Sequence, residues 1–242
     1  MRARQRHFNP AGVGAYSALD ARFGFSLADN TAIDTWDDRT SGNKDATGTG
    51  TARPLYRTGV MGGNPVVRFD GSNDYLKIST VTASKVTLLS ALSSTQTGNT
   101  QICLQWGTNT TATDNQFHLW ITSSKYACFY RDNTATDRGI TATSNKTSNP
   151  TIIATLFDST QRFWENGVAG GTAATSGTLN QSTAAIGLGV KLKPDGTPPG
   201  VAEVNYFNGD MGAMIIVPSA LGDPARRRIE SYLAYSFKIA CS

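Results

Sequence analysis

The sequence predicts an all-β, antiparallel sandwich or barrel closed by a single C-terminal α-helix, and three observations predict it. Short runs rich in Val, Ile, Thr, Tyr, Phe and Trp recur between polar or glycine-bearing breaks, with no alternation of strand and helix patterns. Charged residues make up only 17% of the 242, against roughly 25% in an average domain, while 24 glycines and threonine at about one position in eight favour strands and turns. Only one segment, near the C-terminus, combines helical period with a helix-start signal.

Taken in order, strands are expected at Val66 to Phe69, Tyr75 to Ile78, Val86 to Leu92, Gln101 to Trp106, Gln116 to Thr122 and Lys125 to Arg131. Thr151 to Phe157, Arg162 to Glu165, Ala184 to Leu188 and Gly209 to Val217 complete the set. Ile102, Leu104 and Trp106 alternate with polar or small neighbours, as do Phe117, Leu119 and Ile121, so each run has one core-facing side. Hairpins are expected at Ser123-Ser124 and across Asp158 to Gln161. In the helix, 223–237, Asp223 serves as N-cap, Pro224 fits the first position, and Ile229, Tyr232, Leu233 and Phe237 share one apolar face. Arg226, Arg227 and Arg228 fill its first turn, where the helix dipole disfavours cations, so an acidic partner would offset them; the alternative is a solvated face with Glu230 nearby. Thr40 to Thr51, Thr108 to Asn115, Ala169 to Ser182 and Lys193 to Gly200 read as loops, none long enough to link separate cores. One domain over 13–242, behind a basic arm at 1–12, is the economical organisation.

Several classes are excluded at this level. No run approaches the roughly 18 to 20 apolar residues of a spanning helix, so no membrane insertion is expected. The start, Met1 to His7, is basic but lacks an apolar stretch behind it, so no secretory signal is expected. Cys103, Cys128 and Cys241 are far apart and read as free or buried thiols, with a Cys103 to Cys128 bridge left open. Arg2, Arg4 and Arg6 supply three of the four net positive charges, so the body is nearly neutral and no nucleic-acid partner is expected.

Three stretches carry a family resemblance. The first joins Leu19-Asp20-Ala21 to Trp36, Asp38, Ser41, Gly42, Asn43, Asp45 and Ala46; the second is Asn64 to Leu76, with Arg68-Phe69-Asp70-Gly71 and Asp74-Tyr75. The third runs from Phe207-Asn208-Gly209 to Ile216 and on through Leu221 to Tyr235. They resemble the opening segment, a strand pair, and the last strand and closing helix of the concanavalin A-like lectin/glucanase superfamily, in its laminin-G-like branch, of the kind found in tailed-phage structural proteins. Trp164-Glu165-Asn166-Gly167 is similar to a hairpin of the same family. The resemblance implies a jelly-roll β-sandwich. Read on its own residues, Phe69 to Tyr75 is two strands joined by turn formers, with Gly71 free to take positive φ and Asp70 or Asn73 able to accept backbone N–H bonds. Trp36 and Trp164 read as core or sheet-packing residues.

Catalytic chemistry finds little support. A retaining glycosidase needs two carboxyl groups roughly 5 to 5.5 Å apart, which the superfamily's enzymes place on one strand. Here the three glutamates, Glu165, Glu203 and Glu230, are scattered. His7 and His118 are the only histidines, which leaves no triad base set, and neither phosphate-loop nor zinc spacing occurs. No cofactor is required. Calcium is possible by resemblance, since Asp114, Asp132 and Asp137, with Asn115 and Asn133, offer hard oxygen ligands in loops that also suit solvated turns. For a glycan, aromatic rings stack on sugar faces while Asn and Asp bond hydroxyls. His118, Trp120, Tyr126 and Tyr130 on adjacent strands, beside Asp114 and Asn115, form the candidate glycan-binding set, although some of those rings must be core. Arg2, Arg4, Arg6 and Phe8 of the arm, with Arg226, Arg227 and Arg228, form the candidate partner-docking set.

The expected function is therefore non-enzymatic. The chain reads as a structural or attachment component of a larger particle, a bacteriophage virion, docking through its arm to capsid or tail proteins in a multi-copy assembly and binding host-surface glycans. That places it in the virion, assembled in the host cytoplasm. The alternative is a free-standing bacterial carbohydrate-binding module or adhesin at the cell surface; the remote alternative is a glycoside hydrolase.

Overall fold

The computed structural model describes residues 9–81, 83–94, 100–107, 117–122, 124–131, 137–142, 145–158, 160–174, 185–193, 195–198 and 205–242. Two antiparallel sheets face each other. After a 3-10 turn at Pro10–Val13 come β1 (Ser17–Asp20), β2 (Thr31–Ala32), β3 (Thr35–Trp36), β4 (Ala46–Thr47), β5 (Leu55–Met61), β6 (Asn64–Asp70), β7 (Leu76–Ile78) and β8 (Val86–Ser93). There follow β9 (Gln101–Trp106), β10 (Phe117–Thr122), β11 (Lys125–Arg131), β12 (Asp137–Thr141), β13 (Thr151–Phe157), β14 (Thr160–Glu165), β15 (Val168–Ala174), β16 (Ile186–Leu188) and β17 (Asn208–Val217), then α1 (Asp223–Phe237). The first sheet runs β15-β14-β13-β8-β17-β6-β5-β2, with β1 also paired to β17; the second runs β12-β11-β10-β9-β16-β7-β4-β3.

Most strand bounds fall within two residues of the sequence reading, and Gln101–Trp106, Lys125–Arg131 and Thr151–Phe157 coincide with it. The main differences are polar or small-residue strands. Ala169 to Ser182, expected as a loop, begins inside β15, because the Asn166-Gly167 turn sends the chain straight back along β14. Both turn residues have positive φ, 49° and 81°, as a tight two-residue hairpin requires. At Gly170 an added Cβ would lie 2.6 Å from Phe163 Cδ1, so this low-complexity run packs closely where it pairs with β14. β4 likewise interrupts the loop expected from Thr40 to Thr51.

Two hydrophobic layers result. Between the sheets lie Leu19, Trp36, Phe69, Leu76, Leu88, Leu104, Phe117, Tyr126, Tyr130, Phe157 and Phe207, all essentially inaccessible. On the other side of the first sheet, Leu89, Ile152, Leu156, Trp164 and Ile215 pack against Ile229, Leu233 and Phe237 of α1. The helix is capped by Gly222 rather than Asp223, whose carboxylate lies instead 3.3 Å from Nε of Arg226. Its C-cap, Lys238, takes the left-handed conformation at φ 53°. Cys103, Cys128 and Cys241 are free thiols.

The motif residues organise backbone. Asp70 accepts the N–H groups of Ser72 (2.8 Å) and Asn73 (3.2 Å), and Gly71 takes φ 77°, where Asn208 leaves no room for a Cβ. Asp74 accepts the Asp70 N–H at 3.0 Å, and burial, with the nearby Asp70 charge, pushes its carboxyl up to about 6. The folded state thus holds this proton more tightly than the unfolded chain, so the stability the group contributes is full below its ordinary value of 3.8 and is lost as pH rises through about 6. Asp74→Asn retains an acceptor for Asp70 and removes the titration. Its melting temperature should gain on wild type between pH 4 and 7, and an unchanged difference across that range would refute the assignment.

Candidate functional site

The strands fix which rings can meet a ligand. Phe117, Leu119 and Ile121 of β10 face the core and pair with Tyr130, Cys128 and Tyr126 of β11, so directly opposite side chains put those three on the core face too. Tyr126 and Tyr130, expected to bind glycan, are therefore corrected to core residues: both are 0% exposed, and the Tyr130 ring centroid lies 4.4 Å from that of Phe157. Burial pushes the Tyr126 hydroxyl up, and Cys128, pushed up to about 12, accepts hydrogen bonds from Thr155 Oγ1 and Gln161 Nε2.

His118 and Trp120 alternate to the opposite face, where Phe129 joins them. The rings lie close: 5.9 Å for His118 to Trp120, 5.1 Å for Trp120 to Phe129 and 6.3 Å for His118 to Phe129. Trp120 and Phe129 are half-buried; His118 is 3% exposed. Burial, reinforced by the Lys191 charge, lowers the imidazole to about 3, so it is neutral at physiological pH. Both His118 nitrogens and Trp120 Nε1 are buried and have no hydrogen-bond partner among the described residues. Phe129 was not singled out from sequence, yet register parity points to it, since a strand with Tyr126, Cys128 and Tyr130 inward presents residue 129 outward.

This face extends beyond the rings. Cross-strand neighbours continue from Phe129 and His118 to Gln105, Gly187, Lys77 and Thr47, a row across β11, β10, β9, β16, β7 and β4. At Gly187 the chain folds back over the row: an added Cβ would lie 2.6 Å from the Val190 carbonyl oxygen and 2.9 Å from Leu192 Cγ. Only glycine permits that approach.

The docking set separates. Arg226 is corrected from a surface residue to a core one, 1% exposed, its guanidinium 4.1 Å from the Trp164 ring centroid and bonded to Glu230 at 2.6 and 2.5 Å. Arg227 and Arg228 are exposed on α1. Arg2, Arg4, Arg6 and Phe8 lie outside the described residues, as do Asp114, Asn115 and Asp132. Asp137 opens β12, its backbone paired with Arg131. Among the described residues no three His, Cys, Asp or Glu side chains cluster as a metal site.

No family model and no curated protein sequence matches the chain. Solved structures do. The binding domain of Paraclostridial Mosquitocidal Protein 1 is similar with a TM-score of 0.61 and 11% identity, over 93% of this chain and 52% of that one. The botulinum neurotoxin serotype G binding domain gives 0.62 and 11%, over 93% and 51%. A Trypanosoma rangeli sialidase gives 0.60 and 13%, over 92% and 33%. The chain spans about half the length of those toxin domains. What it shares with all three is the fold, an antiparallel β-sandwich.

Proposed function

We propose that this chain is a non-catalytic, lectin-like binding protein whose outer aromatic face engages a saccharide, and that it acts as an attachment or structural part of a larger particle, a tailed-phage virion. One observation carries the saccharide reading: two half-exposed rings, Trp120 and Phe129, lie 5.1 Å apart on the face of the second sheet that points away from the core. Sugars present apolar C–H faces that stack on such rings. The likeness to toxin domains named for binding supports the same reading. The particle setting rests on the sequence resemblance, with Arg2, Arg4, Arg6 and Phe8 as the docking arm.

A glycan array probed with the full-length protein, in calcium and in EDTA, tests the proposal. Binding should appear, and Trp120→Ala should weaken it tenfold or more while the far-ultraviolet spectrum stays that of wild type. Silence across the array from folded protein would overturn the glycan reading. Deleting residues 1–10 separates a virion component, which should lose incorporation into particles, from a free-standing adhesin, which has no particle to join.

A further inference from the structure

At the other end of the outer row lies a cleft of about 570 Å³, within the roughly 300–1,000 Å³ range of small-molecule sites. Its floor is Thr47 and Lys77, neighbours across β4 and β7; the Asn43 to Asp45 turn forms one wall and Asp195 and Gly196 the other. The rim is held in place, because the Tyr16 hydroxyl donates to the Thr80 carbonyl at 2.6 Å and lies 3.1 Å from Ser79 Oγ.

The charges at this cleft are unevenly committed. Asp45 Oδ1 accepts the Asp38 N–H at 2.8 Å, and Asp195 Oδ1 accepts both the N–H (2.8 Å) and the hydroxyl (2.6 Å) of Thr197, with Lys193 Nζ 3.5 Å from Oδ2. Both carboxylates thus help to fold their own loops, and they keep their charge beside the two lysines of the cleft. Lys44 and Lys77 have no carboxylate partner among the described residues; the Lys44 ammonium lies 5.5 Å from the Tyr16 ring centroid, a cation–π contact that leaves its donors available. Two ammonium groups without a carboxylate partner among the described residues line the cleft together with Asn43 and Ser79, a donor set suited to a small anion that also carries hydroxyls.

We propose that this cleft is an acidic-sugar subsite, in which the carboxylate of a uronate or related carboxylated saccharide lies between Lys44 and Lys77 and its hydroxyls bond Asn43 and Ser79. The inference rests on the saccharide-binding reading above but on different residues, so the two can fail separately. Calorimetry on the full chain would compare trigalacturonate with its methyl ester and 3′-sialyllactose with lactose, with a sulfated disaccharide as a further arm. At least one acid should bind tenfold or more tightly than its neutral counterpart. Raising salt from 50 to 300 mM should shrink that preference, and Lys44→Gln/Lys77→Gln should abolish it. Equal affinity for acid and neutral forms, preference for the sulfated sugar alone, or indifference to the lysine substitutions would overturn the subsite. If neutral sugars bind and only Trp120→Ala removes them, the aromatic reading stands and the cleft falls. Absence of binding to every probe and to the array overturns both.

Discussion

Glu230→Ala is expected to destabilise the folded chain by about 3–5 kcal/mol, the usual consequence of leaving one member of a buried ion pair alone. Arg226 and Glu230 have side chains 1% and 3% exposed and meet through two short hydrogen bonds between the second layer's apolar groups, with the guanidinium stacked over Trp164. Burial raises the Glu230 carboxyl above its ordinary value even though Arg226 pulls it down, so desolvation outweighs the attraction for this proton. The pair is thus a means of placing charge where the fold has no water, rather than a large net source of stability. The remaining contact of Arg226, Asp223 at 3.3 Å, has a side chain 68% exposed and cannot replace the lost acid. Urea denaturation should show the loss directly. Arg226→Met/Glu230→Leu, which removes both charges and retains volume, should recover most of it, and equal losses in the single and double variants would mean that packing rather than unpaired charge sets the cost.

That arginine also marks where sequence reading stops. Three consecutive arginines in a first turn look like one cationic face, and two of them, Arg227 and Arg228, are exposed as such a face requires. What draws Arg226 inward is Trp164 on β14, 62 positions earlier, a contact that no local pattern encodes. The strands were more legible, because alternation and β-branched content are local: β9, β11 and β13 could be read to the residue. β1, β5 and β15 were not, since their polar, glycine- and alanine-bearing sequences become strands only by pairing with β17, β6 and β14. The candidate site shows the same division. The sequence brought His118, Trp120, Tyr126 and Tyr130 together correctly as neighbours on two strands, but their faces depend on the register between β10 and β11, which puts the tyrosines in the core and substitutes Phe129. Nothing in the sequence pointed to the lysine cleft as a site. Its walls come from Asn43 to Asp45, inside a family-like turn, and from Asp195 and Gly196, about 150 positions further on, inside a stretch that reads as a loop.

Asp38→Ala should cost roughly 2–4 kcal/mol, because one carboxylate serves four donors and charged hydrogen bonds of this kind contribute about 1.5–3 kcal/mol each before solvent exposure reduces them. Oδ1 accepts the Ala18 N–H at 2.8 Å and the Thr40 N–H at 2.9 Å, while Oδ2 accepts the Thr40 hydroxyl and the Lys44 N–H at 2.9 Å. Asp38's own N–H is held in turn by Asp45, so the two acids fold the turn that follows Trp36 and tie it to β1. Here the family-like motif is explained by backbone satisfaction and requires no ligand. Asp38→Asn should recover only part of the loss, since its amide nitrogen points a donor at donors. Asp37→Ala, next along the chain and exposed, should fall within about 0.5 kcal/mol of wild type, as for most surface substitutions. Thermal melts of the three variants check the order, and a silent Asp38→Ala would refute the assignment. The same turn is one wall of the lysine cleft, so Asp38→Ala should weaken any acidic sugar together with stability. Lys77→Gln should weaken the sugar alone, and that contrast separates a residue that builds the site from one that binds in it.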